Sequence, residues 1–302
     1  MSALDLALPP RPAPARSPLR DAMRRVRASR LAVAGLGIIG FLTLCAIAAP
    51  WISIQHPDAD GIWSAFMRDA KQPPSLRHWM GTDKLGRDLA SRIVYGARTS
   101  LLIGVTSVSL AIAVGAALGA VAGFFGRWVD AVIMRLMDVM LAFPSLLLAL
   151  GIVALTGPRL LNAMLAVGIV SIPTYARIVR ASVLAEVGKD YVTASRALGA
   201  SPMRLLLHHV MPNALAPLIV AASLGIGTAI LEAAGLGFLG LGAQPPLAEW
   251  GLMLADNRQS MTSFWWLVTC PGVAIMLTVL GFNLLGDGLR DVLDPRLRGG
   301  RR

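Results

Sequence analysis

A chain of 302 residues that is 55% apolar, only 15% charged and carries a net charge of +11 is not composed like a water-soluble domain, which holds about 25% charged residues. The deficit of charge points to lipid as solvent. The positive balance argues weakly for nucleic acid, because the arginines flank apolar runs instead of forming one basic face. The two cysteines, Cys45 and Cys270, both lie in apolar runs and read as packing residues. His56, His78, His208 and His209 have no zinc-ligand spacing, so no metal site is expected.

In chain order, residues 1–30 form a Pro- and Arg-rich tail, with Arg11, Arg16, Arg20, Arg24, Arg25, Arg27 and Arg30. The apolar run from Leu31 to Ile54 has the length of a bilayer span and reads as an uncleaved first helix, interrupted near Pro50. A polar loop follows over 55–98. Five further spans are expected at about Leu101–Phe125, Val139–Thr156, Leu161–Val179, Ala214–Phe238 and Phe264–Leu285, within a five-helix core of 99–286, before a tail over 287–302. The third and fourth spans are joined by only Gly157-Pro158-Arg159, a tight helical hairpin. The fold class is therefore all-α, a polytopic integral membrane protein with about six transmembrane helices.

With the N-terminus inside, the inner segments hold 19 Lys and Arg residues and the outer segments 9, which favours both termini in the cytoplasm. Gly115, Gly119 and Gly123 recur every four residues in the second span. That spacing lays a small-residue stripe on one helix face and lets a neighbouring backbone approach closely.

The segment 188–213 between the fourth and fifth spans reads as two short helices with a sharp corner. Asp190 is placed to cap the first, and Gly199 to end it in the left-handed region. Ser201 caps the second, with Pro202 at its first position, and Pro212 stops it. A helix this short is marginal in water and needs a partner surface. Tyr191, Ala194, Ala197 and Leu198 offer it a small apolar face.

This stretch resembles the cytoplasmic EAA loop of bacterial ABC importer permeases, E-A-A-x3-G-x9-I-x-L-P. Aligned on Gly199, Thr193 takes the Glu place, Ala194 and Ser195 the two Ala places, and Pro212 the proline; His209 and Met211 replace Ile and Leu. The run His78-Trp79-Met80-Gly81-Thr82-Asp83-Lys84-Leu85-Gly86-Arg87-Asp88 is similar to the H-x-x-G-T-D-x-x-G-R-D signature of the dipeptide/oligopeptide/nickel permeases. Glu249-Trp250-Gly251 and the ending Asn283–Asp291 with Asp294-Pro295-Arg296 also look like that family. Taken without the resemblance, Gly81, Thr82, Asp83, Gly86, Arg87 and Asp88 read as an ordinary capped turn on a solvated loop.

The resemblance implies a bacterial inner-membrane subunit that pairs with a homologous permease, two ABC ATPase subunits and a periplasmic substrate-binding protein. It implies peptides as substrate, with glutathione and nickel chelates within the family's range. The coupling helices facing the ATPase would comprise Tyr191, Val192, Thr193, Ala194, Ser195, Ala197, Leu198, Gly199, Ala200, Ser201 and Pro202. No cofactor is expected in this chain, ATP and Mg belonging to the ATPase partners. The sequence has no G-x-x-x-x-G-K-[ST] phosphate loop with which to hydrolyse ATP itself.

Glu232 falls inside the fifth span, where a carboxyl costs about 2.5–3.5 kcal/mol on insertion scales. Two readings stand: a group lining or gating the pathway, or a paired residue pinning helices together. Asp138 is expected to pair with Arg135, and Asn283 to hydrogen-bond across helices. The rival functions are a secondary transporter, for which no internal repeat is evident, and a membrane-embedded enzyme, for which no catalytic cluster stands in the spans.

Overall fold

The structure, a computed structural model, describes residues 24, 26–56 and 67–293. Most of the N-terminal arginines and Asp294-Pro295-Arg296 lie outside them. The described residues form helices α1 (Arg30–Ile52), α2 (Leu89–Phe125), α3 (Arg127–Leu141), α4 (Ser145–Thr156), α5 (Leu160–Val187), α6 (Asp190–Ala197), α7 (Met211–Phe238), α8 (Trp250–Asn257) and α9 (Trp266–Leu293), with no named strand. Pro202–Arg204 and a π-helical turn, Leu205–Val210, lead into α7. The α1, α2, α5, α7 and α9 helices are long and apolar enough to cross a membrane, and the bent pair α3–α4 makes a sixth span if counted as one.

The bundle is built on the seam between α2 and α5. A Cβ at Gly119 would lie 2.2 Å from the Ala176 carbonyl oxygen, and one at Gly115 would lie 2.7 Å from that of Ile172. The stripe thus brings backbone onto backbone, as its spacing predicts. Ser107 Oγ donates to the Met164 carbonyl (2.9 Å) across the same seam. Around it Val108, Ala111, Val167, Ala176 and Val179 form a continuous apolar core with Ala229 and Ala233 of α7. On the other side of α7, α9 packs between α7 and α1.

Two prolines behave in opposite ways to expectation. The α1 helix is not interrupted at Pro50; it continues to Ile52. A proline has no N–H to give the carbonyl four residues back. That carbonyl, Ala46, instead accepts from Arg98 Nε, and Ile47 accepts from Arg98 Nη2 at 3.0 Å. The expected third span, Val139–Thr156, is not one helix: the chain bends by 88° between α3 and α4. Pro144 disfavours helical geometry at Phe143 before it, and among the described residues no side chain donates to the carbonyls before the break as Arg98 does at Pro50. Only α4 follows the break, about 18 Å of helix against a hydrocarbon core of about 30 Å.

The α2 helix begins at Leu89, well before Leu101. At 37 residues it is about 55 Å long, far more than the bilayer needs. Cys45 and Cys270 are free and half-buried. Asn283 is exposed and, against expectation, its side chain forms no hydrogen bond among the described residues.

The seam makes a paired prediction. Gly119→Ala should lower the thermal midpoint of the purified protein, because its Cβ meets a carbonyl that neither helix can move cheaply, a cost of about 1–3 kcal/mol. Gly151→Ala, whose Cβ meets nothing within 4 Å, should leave the midpoint unchanged or raise it. Equal midpoints would remove the seam from the account.

Candidate functional site

Two constellations stand at opposite ends of the bundle. At one end α6 follows α5 after a short turn. The α6 helix starts at Asp190, which occupies the first helical position and not the cap; Lys189 is the cap residue and offers no side-chain bond. Asp190 still carries a negative charge into the first turn, where the helix dipole favours it. The helix ends in a full Schellman motif, with Gly199 N–H donating to Arg196 O (3.0 Å) and Ala200 N–H to Ser195 O (3.1 Å). Gly199 has φ +83°. Ser201 holds the cap position of the next turn, with Pro202 after it, but its hydroxyl makes no capping bond.

Pro212 does not stop that turn. The chain runs straight on into α7 through the π-helical turn, whose widened ladder (Met211 N–H to Leu206 O) accommodates a residue with no N–H. The corner is therefore a single bend at Gly199, set on the end of a long helix.

Within this corner the expected coupling residues divide. Val192 is fully buried and faces the chain's own core. Tyr191 turns back: its hydroxyl donates to Glu186 Oε2 (2.7 Å) and accepts from Asn213 Nδ2 (3.2 Å). Burial, then the charge and hydrogen bond of Glu186, push the Tyr191 phenol above its ordinary value. Thr193, Ala194, Ala197 and Leu198 face outward, Leu198 at 89% exposure. Ser195 and Ala200 are half-buried, and Gly199, Ser201 and Pro202 are exposed.

At the opposite end Gly81, Thr82, Asp83, Gly86, Arg87 and Asp88 form a buried knot, not a solvated turn. Thr82 and Asp88 pair as an isolated antiparallel bridge. Asp83 Oδ1 accepts from Leu85 N–H (2.9 Å) and Arg87 N–H (3.0 Å). Its Oδ2 bridges Arg87 Nε and Arg92 Nη1, each at 2.6 Å. Asp88 caps α2 by accepting from Ser91 N–H (2.8 Å), and His78 Nδ1 lies 2.9 Å from its other oxygen. Gly81, at φ +77°, lies so close to the Trp266 indole that a Cβ there would sit 2.8 Å from Nε1. Lys84 and Arg87 reach Asp256 of α8, tying that helix in. Burial pushes the Asp83 carboxyl up, but Arg87 and Arg92 outweigh it, so its pKa falls below the ordinary 3.8.

Glu249 is the cap of α8, accepting from Gly251 and Leu252 N–H at 2.7 Å each. Its burial outweighs those bonds and raises its pKa. Nothing local in the sequence assigns a role to Arg92; for Glu249 the available signal is a carboxyl two residues before a glycine and directly before an apolar helical run.

Glu232 lies between the two ends, half-buried on α7, six residues before its last. Its Oε1 accepts from Ser145 Oγ (2.9 Å), the first residue of α4. No cation forms an ion pair with it among the described residues. Asp138 does not pair with Arg135; it bonds Arg177 of α5 at 2.5 Å, and Asp130 pairs with Arg180. These two pairs tie α3 across α5.

Residues 115–299 match the family described as binding-protein-dependent transport system inner membrane component, and residues 17–74 match the N-terminal transmembrane domain of oligopeptide transport permease C. The chain belongs to that transport-system family. It is a multi-pass membrane permease, and the alternative of a secondary transporter is set aside. The permease is 49% identical to a dipeptide transport system permease protein of Alkalihalophilus pseudofirmus, over 93% of this chain and 91% of that one. It is 51% identical to the dipeptide permease of Escherichia coli K12, over 93% and 94%. A probable D,D-dipeptide permease of the same organism is 46% identical, over 91% and 90%. Among solved structures, an inward-facing methionine ABC transporter shares the fold, with a TM-score of 0.57 at 20% identity, over 68% of this chain and 97% of that one.

Asp83→Asn should leave two buried guanidiniums without their counter-charge, destabilising the permease by about 3–5 kcal/mol. The stabilisation from Asp83 is whole above its unfolded value of 3.8 and is lost only as pH falls through its depressed folded pKa. The gap in thermal midpoint between wild type and variant should thus stay flat over roughly pH 5–8. A gap that closes within that window would show that Asp83 does not bridge the arginines as a carboxylate.

Proposed function

We propose that the permease forms half of the translocation pathway of an ATP-driven importer of short peptides, opposite a homologous permease subunit. A substrate-binding protein delivers the peptide on the outer side, and two ATPase subunits carrying ATP and Mg drive the cycle from the cytoplasm. The dipeptide relatives, aligned over nine-tenths of the chain, support the substrate class. The excess of Lys and Arg in the inner segments supports placing both termini and α6 in the cytoplasm. Hydrolysis is assigned to separate subunits because the chain lacks a phosphate loop.

The observation that carries the coupling role is the corner at Gly199. Tyr191 and Val192 hold α6 to its own bundle, while Thr193, Ala194, Ala197 and Leu198 remain free for a groove on the ATPase. Ser195, Ala200, Ser201 and Pro202 shape the bend between α6 and α7. Closure of the ATPase pair moves α6, and α5 and α7 convey that movement to the bundle.

Glu232 is read as a pathway residue. Its neighbour, the break between α3 and α4, is exposed from Leu141 to Leu147. Non-helical backbone at membrane depth is tolerated where protein or a water-filled cavity covers it, not against lipid. The break and the carboxyl beside it therefore suit the wall of the pathway.

Two measurements on the complex reconstituted in liposomes test these assignments. No side chain crowds Gly199, so substitutions there act through backbone strain alone. Gly199→Val should cut peptide uptake about tenfold or more, while Gly199→Asn, which tolerates the left-handed region, should retain most of it. Full uptake by the Val variant would rule out the strained corner as the coupling element. Glu232→Gln should leave the thermal midpoint unchanged and impair uptake. A midpoint lowered by Glu232→Leu, with normal uptake by the Gln variant, would make Glu232 a helix pin instead.

A further inference from the structure

Tyr175 of α5 is only 3% exposed, yet its hydroxyl has no hydrogen-bond partner among the described residues. The phenol lies against α7 at Gly225, so close that a Cβ there would overlap its oxygen. A hydroxyl held in the interior without a partner is costly and asks for an explanation. Glu232 stands seven residues beyond Gly225, two turns and about 10 Å of rise along the same face of α7. Its carboxylate has the Ser145 hydroxyl and, among the described residues, no cation.

Nearer the Gly199 corner, a cavity of about 690 Å³ opens between α5, α7 and the end of α9. Ile178 and Ser182 line it from α5, and Pro217, Ala221 and Leu224 from α7. Tyr175 is one turn before Ile178, and Gly225 directly follows Leu224. On a helical face, Pro217, Ala221, Thr228 and Glu232 fall within about 60° of one another. Cavity and carboxylate therefore lie along one strip of α7, with Tyr175 between them. The volume is within the range of about 300–1,000 Å³ typical of small-ligand sites. Glu186, a carboxylate in the lining, is engaged by Lys189 and the Tyr191 hydroxyl.

Short peptides of different sequence share only their main chain: an ammonium, amides and a carboxylate. A fixed polar group that serves all of them must address those parts. The α-amino group of a peptide is protonated at neutral pH and brings three donors. The carboxylate of Glu232 and the lone pairs of Ser145 Oγ are acceptors for it. A hard metal ion would ask for six or more oxygens, more than these two side chains supply. We propose that Glu232, with Ser145, binds the α-ammonium of the peptide in transit, and that Tyr175 donates its hydroxyl to a main-chain oxygen of the same peptide. Two residues span about 7 Å at most. The Glu232 side chain leans toward the start of α7, and so toward Gly225, which shortens the rise between the two groups toward that span. The inference deepens the pathway reading of Glu232 and rests on the importer reading above.

The test titrates dialanine and N-acetyl-dialanine against the complete permease–ATPase complex in nanodiscs, without the binding protein, and reads the thermal midpoint. Dialanine should reach half its effect at a concentration about tenfold below that of the acetylated peptide, the difference a charge-assisted hydrogen bond gives. Glu232→Gln should bring the two within about twofold by weakening dialanine alone. Glu232→Asp should keep part of the preference. Tyr175→Phe should weaken both peptides alike, by about fivefold, and keep the preference. The two peptides are compared within each variant, so a general loss of stability does not move their ratio. Equal half-maximal concentrations in the wild type overturn the proposal, as does a wild type that responds to neither peptide or a preference that survives in Glu232→Gln. Peptide uptake into liposomes with the binding protein and ATP is measured alongside. No uptake by the wild type would sink the importer reading, whereas uptake without the preference would sink the subsite alone.

Discussion

The approach of α2 and α5, backbone against backbone, is the constraint on which the rest of the molecule hangs. In lipid, burying apolar side chains yields no gain between helices, because the tails are as apolar as leucine. What remains is close packing, and Gly115, Gly119 and Gly123 obtain it by presenting no side chain to the carbonyls of Ile172, Ala176 and Arg180. Both helices lead away from that seam to a functional end. The α2 helix carries the buried ionic knot at its tip, and α5 runs straight into the turn before α6. A bulkier residue in the stripe would separate the two ends from each other, not merely loosen one contact.

Polar groups inside such a bundle need partners, and the partners come from far along the chain. Arg98 satisfies the carbonyl that Pro50 leaves bare, Asp83 neutralises Arg87 and Arg92, and Arg177 and Arg180 meet Asp138 and Asp130. Replacing a buried ion pair by apolar residues often costs little, so these pairs are weak sources of stability. Their effect is geometric: a carboxylate holding two guanidiniums through one oxygen and two backbone N–H groups through the other admits few alternative arrangements. Glu232 differs: among the described residues it has one hydroxyl for a hydrogen-bond partner and no cation.

The spans and the Gly199 corner were legible because their signals are local. Apolar runs of bilayer length, a four-residue glycine spacing and a Gly-x-Ser-Pro sequence each act over a few residues. The misreadings share one cause. Pro50 and Pro144 look alike in sequence, yet one lies within a continuous helix and the other at an 88° bend: a side chain, Arg98, supplies the carbonyl of Ala46, whereas among the described residues the carbonyl of Met140 has only local backbone N–H groups such as that of Phe143 at 3.4 Å. Asp138 had an arginine three residues away and chose one on another helix. The signature Gly81–Asp88 read as a solvated turn because hydrophilic residues suggest water, and their burial depends on Arg92 and Asp256, which lie outside the motif.

The two ends of the bundle are built to different stiffness. At the knot, the charged groups are almost wholly removed from solvent, and each hydrogen bond would have to break inside the protein. At the other end the pairs are open to water: Arg177 and Asp138 each keep about half of their side-chain exposure, and Lys189 with Glu186 is likewise partly solvated. Solvent offers such pairs an alternative partner at little cost, so exchanging them is cheap. Among the described residues the α6 helix is fastened within its span by the buried Val192 and the Tyr191 hydroxyl, beside a π-helical turn whose ladder is already widened. A helix so lightly held is the more compliant element, while the α2–α5 seam, packed backbone against backbone at Gly115 and Gly119, has little room to deform. Compliance beside the Gly199 corner and stiffness at the ionic knot thus follow from where water reaches the charges.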